Sequence, residues 1–357
     1  MFCLIEFIDL NGQNSYNNIR NWDGDKRRRY HLVETEMGRS MKKRVCLKGG
    51  YKMLVPRYYE NLSILHENTM PTRAYYIPAS KRMDDLVEHR ENSDRIQFLN
   101  GTWKFKYFES IYDVTEAFYE EGFSTEGFSD TKVPGVWQMD GYDNHQYTNI
   151  KYPFPFDPPF VPQDIPCGEY VYEFEYEKSE KTPKTYLNFE GVDSCFYVWL
   201  NGKYVGYSQV PHATSEFDVT ELIKEGNNKI AVLVMKWCDG SYLEDQDKFR
   251  MSGIFRDVYL LKRPEKAVRD YRVNTVVKDN KAKISLDVMF TANTEVKVVL
   301  EDKDGNTVSE KEIAEEGTLT LEVENPVLWN TENPYLYTLV LETENETIVE
   351  YQNNRDY

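Results

Sequence analysis

Several things are missing from this sequence, and each absence closes off a class of protein. No run of about 18 apolar residues occurs, and the opening MFCLIEFIDL is broken by Glu6 and Asp9, which excludes a membrane-spanning helix or a secretory signal there. Only five cysteines are present (Cys3, Cys46, Cys167, Cys195, Cys238), odd in number, scattered and without a CxxC pair. They point away from a disulfide framework or structural zinc and toward a reducing, cytoplasmic setting. The five histidines are isolated, and His145 and His212 read as surface or hydrogen-bonded residues rather than bases. There is no GxGxxG, Walker loop, HExxH or GxSxG, so nucleotide, zinc-protease and serine-hydrolase readings have no support. Positive charge is scarce as well: 43 Lys and Arg stand against 60 Asp and Glu, a net charge of −17. That balance argues against nucleic acid or an anionic membrane as partner and leaves neutral sugars compatible.

What is abundant is aromatic: 27 Tyr, 18 Phe and six Trp in 357 residues. Aromatic side chains fill pleated, half-buried surfaces, and they also stack on sugar rings. The length suits two ordinary domains. Strand signals begin near Ile96, where FLNGTWKFKYF alternates around Asn100-Gly101 and predicts a strand pair. EYVYEFEYE, TYLNFEGV and CFYVWLNGKYVGYSQ alternate in turn, with Asn201-Gly202 a strong hairpin signal. Residues 113–123 suggest a short amphipathic helix. Beyond Pro264, YRVNTVVKD, AKISLDVMF, EVKVVLED, LTLEVEN and LYTLVLETE form a second strand series with a turn at Asp304-Gly305, in the style of an immunoglobulin-like sandwich. DKDGN lacks the later ligands and closing Glu of a calcium loop.

Two loops stand out. VPGVWQMDGYDNHQYTNIKYPFPFDPPFVP, from Val133 to Pro162, is too rich in Pro, Gly and Asn for a helix or central strand and reads as a long ordered loop, a type of segment that often carries function. The second follows the apolar run Ile230–Met235: WCDGSYLEDQDKFRMSGIFRDV places Asp239, Glu244, Asp245 and Asp247 close together, followed by Arg250 and Arg256. Such a density of carboxylates requires solvent, arginine partners or a cation.

The strings DGSYLEDQD and RMSGIFRDV, together with the YTN triplet, PRYYENLSILHENTMPTRAYYIPAS and NPVLWNTENPYLYTLVLE, closely resemble bacterial β-galactosidases of glycoside hydrolase family 2. The resemblance covers roughly residues 53–350. It implies an all-β chain: 53–265 a sugar-binding jelly roll with its leading segment, and 266–357 an immunoglobulin-like domain clipped at its C-terminal end; residues 1–52 lie outside the resemblance as a non-homologous extension, expected to be disordered because they show no sustained period and carry the basic run Lys26–Arg29. It also implies that Asn149 and Asp247 contact galactosyl hydroxyls, that Asp247 helps hold a sodium ion, and that galactosides such as lactose are the substrates. The EDQD string disfavours a glucuronidase or mannosidase.

Retaining glycosidases use two carboxyl groups about 5–5.5 Å apart, one on each side of the scissile bond. In the resembled family both lie on a (β/α)8 barrel of about 250 residues, with magnesium beside them, and no such segment follows here. Glu244, Asp245 and Asp247 belong to one loop and cannot bracket a sugar. The expectation is therefore one wall of a galactose site, an incomplete sodium site, no catalytic residue and no hydrolysis by this chain alone. YQNNRDY departs from the family pattern, as a frameshift or truncation would make it. A stand-alone carbohydrate-binding module and a fragment that docks onto a separately encoded catalytic portion are the alternatives. Residues 1–52 carry 11 Lys and Arg against six Asp and Glu, unlike the remainder. Lys48–Met53 can be encoded as a ribosome-binding sequence before a start codon, so translation is expected to begin at Met53.

Overall fold

A computed structural model describes residues 53–83, 85–148, 151–244 and 247–352. The disorder expected of residues 1–52 falls outside the described residues, and so do Asn149 and Asp245. Among the described residues there is no α-helix, only short 3-10 turns between strands.

The first sandwich is built from β1 (His66–Glu67), β2 (Ile96–Phe98), β3 (Gly101–Phe108), β4 (Ser129–Val133), β5 (Cys167–Tyr176), β6 (Lys184–Phe189), β7 (Val192–Asp193), β8 (Cys195–Leu200), β9 (Lys203–Gln209), β10 (Ser215–Asp218), β11 (Gly226–Met235), β12 (Gly253–Ile254) and β13 (Val258–Arg263). One sheet runs β1-β9-β8-β11-β5-β3-β4, the other runs β10-β6-β13-β2, and β7 and β12 form a short ribbon. The pairings are antiparallel, so short turns can join neighbouring strands. At the β8–β9 hairpin Asn201 and Gly202 both take positive φ, 52° and 75°, the pair of values that a type I′ turn needs.

Asn100-Gly101 behaves differently. β2 and β3 do not pair with each other; they belong to opposite sheets. The Asn100 side chain accepts from Val258 N at 3.0 Å and donates to Asp257 Oδ1 at 2.9 Å, so it fastens the crossover to β13 instead of closing a hairpin. The helix expected over residues 113–123 is absent too: after one 3-10 turn at Ile111–Asp113 the chain continues through turns. Phe118 and Tyr119 pack on Trp199, and Lys229 Nζ takes the carbonyls of Glu120 at 2.6 Å and Phe123 at 3.3 Å. Tertiary contacts thus satisfy groups that a short isolated helix would have to satisfy alone.

Alternation along the central strands feeds two cores. Phe196, Val198 and Leu200 of β8 and Ile230, Val232 and Val234 of β11 point between the two sheets. Cys195, Tyr197 and Trp199, with Ala231, Leu233 and Met235, point the other way into a second cluster on the outer face of the seven-stranded sheet. That outer cluster is closed by Val55, Tyr59, Phe118, Ile165, Trp237 and Tyr242, which come from loops and the leading segment. The loops are therefore packed structure, not loose connections.

After Arg263 the chain enters the second sandwich: β14 (Val268–Lys278), β15 (Lys281–Phe290), β16 (Val296–Glu301), β17 (Thr307–Ile313), β18 (Gly317–Glu324), β19 (Tyr337–Glu342) and β20 (Thr347–Gln352). Sheet β14-β15-β18 packs on sheet β17-β16-β19-β20 over one core. In the DKDGN turn, Asp302 Oδ1 accepts from the N–H groups of Asp304 and Asn306, each at 2.9 Å, so the loop is closed by its own aspartate. At the junction, fully buried Arg263 holds Glu346 through two bonds of 3.0 and 2.6 Å and donates to Tyr76 Oη at 3.1 Å.

Candidate functional site

The acidic loop begins where β11 ends. Cys238 and Ser241 cap each other's backbone around the turn Asp239–Tyr242, with Cys238 N donating to Ser241 Oγ at 3.1 Å. The Tyr242 hydroxyl accepts from Asp157 N at 3.1 Å and donates to Phe160 O at 2.5 Å, and its ring meets Phe154 and Phe156 edge-on. One tyrosine thereby ties the acidic loop to the far end of the 133–162 loop.

The carboxylates of this loop do not share one environment. Asp239 is 4% exposed, and neither of its oxygens makes a well-aligned hydrogen bond. Burial pushes its pKa up, while the nearby Gln209 amide and Gly240 N–H favour the charged form. Glu244 turns inward and its pKa is pushed up to about 8, mainly by burial and then by the like charge of Asp193, against the pull of Lys248, Arg250 and Ser194. Ser194 Oγ sits at the centre of this cluster, 2.9 Å from Asp193 Oδ1, 3.0 Å from Lys236 O and 3.4 Å from Glu244 Oε2. Asp193 is raised by burial too, with Lys248 Nζ 3.6 Å from its Oδ2. The cleft beside these groups holds a water molecule at most and not a sugar ring, so the pair is not placed to flank a glycosidic bond.

Asp247 is exposed, and Tyr147 Oη donates to its Oδ1. Gln146 and Arg250 form an antiparallel bridge, with N–O distances of 3.3 and 2.6 Å. Phe249 lies edge-on to His145 at 5.0 Å and to Tyr147 at 5.9 Å. The segment leading to Asn149 and the segment carrying Asp247 therefore meet, although their contacts span about a hundred positions. Beside this carboxylate Tyr147 and Phe249 are 52% and 55% exposed, while Tyr152 and Phe156, 46% and 64% exposed, pack on each other and on Tyr242. Lys236 Nζ lies 2.5 Å from Asp143 Oδ2 and 3.4 Å from Asn144 O, and Gln138 Nε2 donates to the same Asp143 oxygen at 3.2 Å.

As a cation site this donor set is thin. Among the described residues no three His, Cys, Asp or Glu side chains converge, so they supply an exposed carboxylate and not a cage. The sequence pointed to Asp247 but not to Tyr147, Asp193, Ser194 or Lys236. Tyr147 stands in the same YTN triplet as Asn149, and a lysine directly after an apolar strand was the available signal for Lys236.

Residues 96–264 match the model of the glycosyl hydrolases family 2 sugar binding domain, and residues 266–355 match a second glycosyl hydrolases family 2 model. The chain belongs to glycosyl hydrolase family 2. Family 2 relatives include a β-galactosidase of Actinobacillus pleuropneumoniae, 44% identical over 301 residues, which covers 84% of this chain and 29% of that protein. A Staphylococcus xylosus β-galactosidase is 44% identical over 317 residues, covering 85% of the chain and 31% of the relative. The chain thus spans about 30% of the length of these relatives. Among solved structures, an uncultured Clostridium β-glucuronidase superposes with a TM-score of 0.56 at 24% identity, over 72% of this chain and 44% of that one. A Ruminococcus gnavus β-glucuronidase gives a TM-score of 0.58 at 22% identity, over 73% and 43%. At that identity the family 2 likeness to the glucuronidases is one of fold. No helix among the described residues is long and apolar enough to cross a membrane.

Proposed function

We propose that the chain is the N-terminal portion of a β-galactosidase and supplies one wall of its galactose site, with Asn149 and Asp247 contacting sugar hydroxyls. The observation that carries this reading is the junction of the two loops through Gln146–Arg250 and Tyr147–Asp247. An exposed carboxylate accepts hydrogen bonds from sugar hydroxyls, and flanking rings pack on the C–H face of a pyranose. Galactosides such as lactose are the proposed substrates, and a cytoplasmic location fits the three buried free thiols Cys167, Cys195 and Cys238.

In this reading Asp247 contributes one oxygen to a sodium site. Its other ligands, the catalytic carboxyls and the magnesium belong to the part of the relatives that this chain does not span. The exposed rings of Tyr152, Phe156 and Phe249, with Leu243 at 88% exposure, make the loop end the face on which that part packs. The test is complementation. The chain alone should not hydrolyse a nitrophenyl galactoside; mixed with the remaining portion of the Actinobacillus relative it should. Turnover by the chain alone that a galactosidase inhibitor abolishes, or absence of any complex with that portion, would overturn the reading. A stand-alone carbohydrate-binding module is the second reading, favoured by the same exposed rings; it requires saturable galactose or lactose binding at millimolar concentration or below without the missing portion.

A further inference from the structure

We propose that Lys236 is the positioning residue that sets the two sugar-facing segments relative to each other; this rests on the reading of Asn149 and Asp247 as sugar contacts. Lys236 is the first residue past β11 and is 4% exposed, an unusual place for an ammonium group unless it is paired. Its two ends serve different loops. The ammonium lies 2.5 Å from Asp143 Oδ2 and 3.4 Å from Asn144 O, on the segment leading to Asn149. The carbonyl accepts from Ser194 Oγ at 3.0 Å, and that hydroxyl stands 3.4 Å from Glu244 Oε2 on the segment leading to Asp247.

The geometry also explains why a lysine is used. Asp143 has a left-handed backbone, φ 58°, which turns the chain back toward the β11 end. Gln138 Nε2 donates to the Asp143 oxygen at 3.2 Å, and Gln138 Oε1 accepts from Ser252 N at 2.9 Å, so the aspartate is held from a second side by the strand-side neighbours of Arg250. The Lys236 ammonium also lies 5.1 Å from the centroid of the Trp237 ring, a further favourable contact for the charge. A charge-assisted bond in a dry setting is strong, and removing it frees the Asp143–Thr148 segment at its root. The Gln146–Arg250 bridge, which has only two backbone bonds of its own, then opens more often.

The experiment is native-state amide exchange followed by NMR on the full chain, with Lys236→Met and the double variant Lys236→Met/Asp143→Asn. The double variant removes both charges and so avoids a buried unpaired carboxylate, and asparagine tolerates the left-handed backbone at position 143 as aspartate does. Both variants should exchange the Gln146 and Arg250 amides about tenfold faster or more, while β15 amides keep their native rates. Exchange at those two amides within about twofold of the native chain in the double variant would refute the latch, as would an equal acceleration throughout β15 and β19, which would mark Lys236 as merely structural. A galactose titration on the same samples, each joined by the remaining portion of the Actinobacillus relative, separates the two claims. If the native complex binds no sugar, the site reading fails while the exchange result still judges the latch; if it binds, the complex of the double variant should bind about tenfold more weakly.

Discussion

The two sandwiches share a sheet-on-sheet plan and differ in what covers their outer faces. In the second, β15 alternates Ala282, Ile284, Leu286, Val288 and Phe290 inward with polar residues in water, and β17 is largely exposed. In the first, all six residues of β8 are buried, because loops close a second core over the outside of the larger sheet. That cover has a consequence for chemistry. Side chains that a solvated sheet would hold in water are instead withdrawn from it: Glu169 and Lys236 are buried, Asp193 and Glu244 half-buried, and burial pushes the pKa of all three carboxyls up. The candidate site lies where the cover ends, on loops held by packing rather than by ladders.

The contrast can be broken most severely at the junction. Arg263→Met leaves Glu346 buried without its partner and should cost about 3–5 kcal/mol, read as a large fall in denaturant midpoint. The next effect is one of pH. Burial raises Glu169 from 4.5 to about 8, so the folded state binds the proton more tightly than the unfolded one. Its contribution is full below pH 4.5 and is lost as pH rises toward 8, a change on the order of a few kcal/mol. Glu169→Gln should flatten that part of the stability–pH curve; an unchanged slope would mean that Glu169 is solvated in the native state. Glu244 and Glu350, raised to about 8 and about 7, act with the same sign and leave a residual slope.

A smaller effect is expected where the cover is pinned to the sheet. Tyr197 Oη donates to Pro56 O at 2.6 Å, and Tyr197→Phe should cost about 1 kcal/mol in thermal unfolding. Smallest is the solvated counterpart on the second sandwich. Lys281 and Glu324 pair at 2.6 Å with both side chains 62% exposed, and Lys281→Ala should leave the thermal midpoint essentially unchanged. A cost there equal to that of Tyr197→Phe would erase the distinction between the two bodies.

The sequence made some of this legible and hid the rest for identifiable reasons. Asn201-Gly202 and Asp304-Gly305 were readable because positive φ, at both residues of the first turn and at Gly305 of the second, is a local demand. Asn100-Gly101 has the same letters but crosses between sheets, since its partner Val258 lies far along the chain and no local signal encodes it. The turns after Asp113 carry helix-like spacing because Phe118 and Tyr119 serve Trp199. The acidic loop read as one cluster in need of solvent, arginine partners or a cation, yet Asp239 and Glu244 are covered while Asp247 is exposed; charge density is written in the sequence, burial is not. The meeting of the Tyr147 and Asp247 segments follows from the sheet order, which periodicity alone does not give.

The central claim is that these two segments form one sugar-facing surface. The most direct measurement is an NMR titration with D-galactose of the isotopically labelled chain in complex with the remaining portion of the Actinobacillus relative. Signals from residues 144–150 and 244–250 should move together along one binding curve, and Asp247→Ala should abolish the movement in both. Shifts confined to one of the segments, or centred instead on the open cleft by Asn293, Glu295 and Lys297 of the second sandwich, would contradict it.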